Sequence, residues 1–161
     1  MRAGPAQEQG RATVCRGAYV PRMTDAAPRR HLAHVALVVP DYDAAIDWFT
    51  TVLDFTLVED TPMGPGKRWV LVRPAGAGAQ GANLLLARAK DDTQRAVVGR
   101  QGAGRVLFFL ATDDFARDHA RFRARGVEFV EAPREESYGT VAVFRDLFGN
   151  LWDLVQYRSP G

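Results

Sequence analysis

The feature that most constrains this chain is a repeat of element order. His31–Val39 (HLAHVALVV) is a β-branched apolar run stopped by Pro40 and reads as a buried strand. Asp41-Tyr42-Asp43 then opens a helix whose apolar face is Tyr42, Ile46, Phe49 and Leu53. Strands are expected at Phe55–Glu59, Arg68–Arg73 and Asn83–Ala87, separated by Gly/Pro-rich connectors. The same order returns later: a strand at Arg105–Ala111, a helix opened by Asp113-Asp114 and ended by Gly126, then strands at Val127–Glu131, Thr140–Arg145 and Leu151–Gln156. Asp41 to Asp54 and Asp113 to Gly126 are each thirteen residues apart. A duplicated βαβββ unit of about 55 residues follows. The expected fold class is α+β: two tandem modules, 31–88 and 105–158, joined by a polar linker at 89–104, in a single domain spanning 31–158.

Composition excludes several classes of function. No stretch approaches the ~18 apolar residues of a membrane span. The sole cysteine, Cys15, excludes an intrachain disulfide and a thiolate-rich zinc site. The first thirty residues lack the apolar core of a secretory signal, so a reducing, cytoplasmic setting is the default expectation. The net charge of +2 is unevenly spread: residues 1–30 hold six arginines against Glu8 and Asp25, leaving 15 basic and 17 acidic groups on the rest. A nucleic-acid binder would carry its positive excess on the folded body, so neither nucleic acid nor membrane is expected as a partner. Residues 1–30 show no apolar periodicity and are expected to form a disordered basic tail. They read either as a functional tail, as an upstream extension before a product starting at Met23, or as an Arg-rich targeting peptide, the last without an amphipathic pattern to support it.

The residues that carry a family resemblance lie at the two ends of this body. His34-Val-Ala-Leu-Val-Val-Pro-Asp41, followed by Ala44–Phe49 and Val52–Phe55, resembles the opening module of the glyoxalase/bleomycin-resistance/extradiol-dioxygenase superfamily, also called vicinal oxygen chelate. Phe144–Leu154 (FRDLFGNLWDL) resembles its closing Asp-x-x-Gly-Asn-x-x-Glu-Leu signature. The resemblance implies a cup-like sheet shared by both modules, a small-molecule ligand on its concave side, and a homodimer.

It also places His34 and Asp153 at two of the positions where metal-using relatives carry ligands. Imidazole and carboxylate suit zinc, nickel, iron or manganese. Pairing Gly81–Leu85 with Gly149–Asp153 puts Leu85 where relatives carry glutamate, and counting back seven residues from Asp113 puts Val106 at the fourth position. Neither can coordinate a cation, so a divalent metal is an allowed but disfavoured cofactor, since catalytic zinc normally has three protein ligands. Without metal, His34 and Asp153 could work as an acid–base pair, or else His34 is a cavity-lining histidine and Asp153 a remnant or its partner.

Trp69, Leu85, Val106 and Phe108 are expected to line an apolar pocket if they face the cup, with Tyr138 at its rim; ordinary core packing is an equal reading for Trp69 and Phe108. His119, between Phe115 and Phe122, reads as a packed helix histidine. Two functions stay open. One is a binder of a small, partly apolar molecule with an incomplete ancestral metal site. The other is a metal-dependent glyoxalase-like lyase or dioxygenase using His34 and Asp153.

Overall fold

Each helix begins at an aspartate whose side chain accepts a hydrogen bond from an otherwise unpaired backbone N–H of the first turn. The computed structural model describes residues 30–78 and 81–158. In it, Asp41 caps α1 (Tyr42–Thr51) through Ala44 N at 2.9 Å. Asp91 caps α2 (Asp92–Val97) through Gln94 N at 2.8 Å, and Asp114 caps α3 (Phe115–Ala124) through Arg117 N at 3.0 Å. Gly126, just past α3, has φ +86°, a left-handed conformation that glycine adopts without a Cβ clash. The strands are β1 (His34–Val39), β2 (Phe55–Pro62), β3 (Arg68–Pro74), β4 (Asn83–Arg88), β5 (Val106–Ala111), β6 (Arg134–Glu136), β7 (Gly139–Arg145) and β8 (Leu151–Tyr157).

They form two four-stranded mixed sheets in a cup-like α+β arrangement, ordered β1-β4-β3-β2 and β5-β8-β7-β6. The first strand of each module pairs in parallel with the last, and the remaining pairs are antiparallel. The repeated strand order is the duplication written into topology. Among the described residues, each sheet pairs only within its own module.

One face of each sheet turns to a common core. Leu37, Val70, Val72, Leu84 and Leu86 from the first sheet meet Ala142, Phe144, Trp152 and Leu154 from the second, with Phe49 of α1 and Phe122 of α3 between them. Trp152 joins the modules directly, its ring 5.9 Å from Phe49 and 6.3 Å from Phe55. Each fully buried Leu, Val or Phe contributes ~1.5–3 kcal/mol. Asp54, after α1, receives Arg121 of α3 and Arg125 just past its end, both at 2.9 Å.

Three segments differ from the sequence-based expectation. Val127–Glu131 is not a strand: it makes one bridge, Phe129 to Phe144, flanked by Val130 N to Val143 O and Arg145 N to Glu128 O, both 2.9 Å. Pro133 has no N–H to give a ladder, and regular pairing with β7 resumes only at Arg134. The linker, where Asp91-Asp92 reads as a solvated charge or a helix start, holds α2 in line with the second reading, and it adds an unexpected clamp, Gln101. Its side chain accepts from Val38 N at 2.8 Å and donates to Val38 O at 3.0 Å, while its own N–H reaches Asn150 Oδ1 at 3.2 Å. β2 runs past Glu59 to Pro62 through a bulge between Leu57 and Glu59. The tail at 1–30, save Arg30, lies outside the described residues.

Candidate functional site

Strand alternation leaves each sheet a second face, turned from the core. In the first sheet this face carries His34, Ala36 and Val38 of β1, Leu85 and Ala87 of β4, and Trp69 of β3. The His34 ring meets Trp69 edge-on with centroids 5.8 Å apart. Asn83 Nδ2 lies 3.3 Å from His34 Nδ1, so the amide and the ring are within hydrogen-bonding reach.

In the second sheet the corresponding face carries Asp153. Its residue is only 4% exposed and its Oδ1 has no hydrogen-bond partner. Asp153 stands in register with Phe109 of β5 and Val143 of β7. Burial pushes its carboxyl above the usual carboxylate range, opposed in part by the nearby Arg134 guanidinium. Arg134, in turn, is held by Glu131 and Glu136.

Register supports the internal alignment. His34 pairs with Asn83 as Val106 pairs with Leu151, and Leu85 pairs with Ala36 as Asp153 pairs with Phe109. Leu85 and Val106 therefore occupy the positions that Asp153 and His34 hold in the other module. His34 and Asp153 lie on different sheets, and no hydrogen bond or ion pair joins them among the described residues. No three His, Cys, Asp or Glu side chains among the described residues gather as a metal site. One imidazole and one carboxylate, with hydrocarbon at the other two positions, do not fit the ligand count of a catalytic metal.

Phe108 corrects the expected pocket lining. Its ring packs on Trp152, 4.6 Å between centroids, at the edge of the core. The cause is a bulge between Val106 and Phe108, which inserts Leu107 and reverses the alternation. Phe109 is turned outward instead, 62% exposed. Tyr138 is exposed just before β7, its ring 6.3 Å from Tyr157. His119 stacks on Phe115 at 5.4 Å and lies 4.3 Å from Phe129, and burial lowers its pKa.

Trp69 and Leu85 do share a cavity, of about 820 Å³, at the end of the first sheet, where Tyr42, Leu86 and Arg88 from the core side also line it. Ala87 also lines it, and basic side chains of the β2–β3 turn, β4 and α2 surround it. Sequence reasoning did not find those basic groups, because they come from three separate segments with no common motif. Nor did it find Arg134, which lies in a stretch expected to be loop.

Comparison with known proteins gives the following. Residues 31–154 match the family described as the Glyoxalase/Bleomycin resistance protein/Dioxygenase superfamily. An uncharacterised protein of Shewanella frigidimarina is 52% identical over 132 residues, covering 81% of this chain and 96% of that protein. The crystal structure of UcmS2 superposes with a TM-score of 0.68 at 29% identity, covering 80% of this chain and 98% of that one. The crystal structure of TnmS3, an antibiotic binding protein from Streptomyces sp. CB03234, gives 0.65 at 28% identity, covering 83% and 100%.

Proposed function

Since the chain belongs to the glyoxalase/bleomycin resistance protein/dioxygenase superfamily, we propose that it binds a small, partly apolar molecule at the end of its first sheet. The observation that carries this reading is the cavity of about 820 Å³ floored by Trp69 and Leu85. Its size falls within the ~300–1,000 Å³ of small-molecule sites, and its floor supplies the apolar contact such sites use. Leu85 stands where the second module has a carboxylate, so the face that would share in holding a metal offers hydrocarbon instead. The similarity to an antibiotic binding protein supports the same reading. No reaction step is assigned to His34 or Asp153.

The working form in this proposal is a cytoplasmic homodimer. A second copy would meet the face of the first sheet turned from the core, where Ala36 is exposed. Light scattering on the purified protein tests this directly, and a monomer at micromolar concentration would remove it.

The uncharged fluorophore N-phenyl-1-naphthylamine tests the binding function. Saturable binding is expected, with loss of most of the signal in Leu85→Glu, which sets a charge on the apolar floor. Absence of saturable binding by the natural protein would overturn the reading. Elemental analysis of protein purified without a metal-affinity tag tests the alternative. Near one equivalent of metal, lost in His34→Ala and in Asp153→Ala, would replace binder by metal-dependent lyase or dioxygenase.

A further inference from the structure

The walls of the same cavity carry a charge pattern that its floor does not explain. Five cations line it, Lys67, Arg68, Arg88, Lys90 and Arg95, and no carboxylate does. This concentration stands against a body, residues 31–161, in which 17 acidic groups outnumber 15 basic ones. A third of the body's cations therefore face one cavity.

Two of the five are already neutralised. Arg68 is held by Asp60 and, at 2.6 Å, by Asp43, and Arg95 is held by Asp92 at 2.6 Å. Lys67, Arg88 and Lys90 have no carboxylate partner among the described residues. Asp41 lines an adjoining recess with Lys67 and Arg88, and its carboxylate accepts from Ala44 N as the cap of α1.

Arg88 is held in place without a counter-ion. Its guanidinium carbon lies 5.7 Å from the centre of the Tyr42 ring, and the Arg68 guanidinium carbon lies 5.2 Å from the same ring. A Cβ on Gly66 would stand 2.6 Å from Arg88 Nη2, so the glycine admits the guanidinium against the β2–β3 turn. Arg68 is already matched by its two carboxylates, so Arg88 is the guanidinium on this ring whose charge is left to pair.

We infer that the cavity takes an aromatic or otherwise apolar molecule bearing an anionic group, a carboxylate, sulfonate or phosphate. The apolar body lies on Trp69 and Leu85, and the anion lies toward Arg88, Lys67 and Lys90. This inference rests on the proposed ligand-binding reading and adds the sign of the ligand's charge. Guanidinium suits such a group because its planar donors pair with two oxygens at once.

A matched pair of probes separates the two ideas. 8-Anilinonaphthalene-1-sulfonate and N-phenyl-1-naphthylamine share one apolar framework, and only the first carries a sulfonate. Fluorescence titration of the full chain is expected to give roughly tenfold tighter binding of the sulfonate, because two or three partly exposed charge pairs act together. In Arg88→Ala/Lys90→Ala the ratio of the two affinities should fall to about one. Added salt should weaken the sulfonate alone. Equal affinities in the natural protein would overturn the anion preference while leaving the binding reading intact. Failure of both probes would overturn both. A preference that survives in the double variant would also refute the assignment, since the charge would then be read elsewhere. Circular dichroism of the variant guards against mistaking unfolding for lost selectivity.

Discussion

The indole Nε1 of Trp152 donates to Oδ2 of Asp146 at 3.2 Å, and both residues are buried, 2% and 5% exposed. Oδ1 of the same carboxylate accepts from the backbone N–H groups of Phe148, Gly149 and Asn150, and Oδ2 also takes Asn150 Nδ2. One side chain thus organises the turn into β8 and anchors the ring that joins the two modules. The closing motif is structural in this respect: its aspartate builds the turn that sets β8, and β8 carries Asp153.

Asp146→Ala should cost about 3 kcal/mol of stability, because it leaves several buried donors without an acceptor. Urea denaturation followed by Trp fluorescence measures it. A loss below about 1 kcal/mol would mean that water replaces the carboxylate without penalty.

The bulge in β5 gives neighbouring phenylalanines opposite fates. Phe108→Ala should destabilise by about 2–3 kcal/mol through the lost contact with Trp152. Phe109→Ala should lie within about 0.5 kcal/mol of the natural protein, since Phe109 is largely exposed. Thermal melts of the two variants suffice, and a reversed order would place the bulge wrongly.

Much of the fold was legible in the sequence because it rests on local, repeated signals. Asp41 and Asp114 announce their helices, Gly126 announces the end of one, and alternation along β1 and β8 separates core from open face. The bulge at Leu107 was not legible, since one inserted residue changes no composition or period that a short strand displays. The short β6 was missed for a related reason: Arg134–Glu136 is charged throughout, and only pairing with β7 makes it a strand. In the candidate site, the duplication led to Leu85 and Val106 by counting. The cations around Trp69 come together only in space, so no linear pattern could have gathered them.

Asp153 should leave a signature in the pH dependence of stability. Its folded carboxyl titrates above the ordinary 3.8, so between those two values the native state binds more protons than the unfolded chain. Stability therefore falls as pH rises through that window, and the ionised group remains a cost above it. Asp153→Asn is expected to raise the melting temperature by a few degrees at neutral pH and to match the natural protein at a pH below the ordinary carboxylate range. Destabilisation at neutral pH would instead assign the carboxylate a net favourable pairing with Arg134.

His119 works in the opposite sense. Burial and, to a lesser degree, Arg123 hold its pKa below the ordinary 6.5, so the unfolded chain takes up a proton that the packed ring does not. Stability should decline as pH falls through 6.5 and level off below the folded value. His119→Phe, which keeps a ring between Phe115 and Phe129, should flatten that decline. An unchanged slope in calorimetric melts would show that the ring protonates in place.

The amide of Gln101 on Val38 gives the segment between the modules a role that spacing alone would not. β1 is the outer strand of its sheet, and an outer strand offers its unpaired groups to any extended chain that drifts past. A side chain that satisfies both groups of one residue ends the ladder there, as an end-stop rather than as another rung. A single βαβββ half would have no such stop on its first strand. Fusing two halves through this stretch supplies one, so the connection that makes the molecule a tandem also closes part of that one edge.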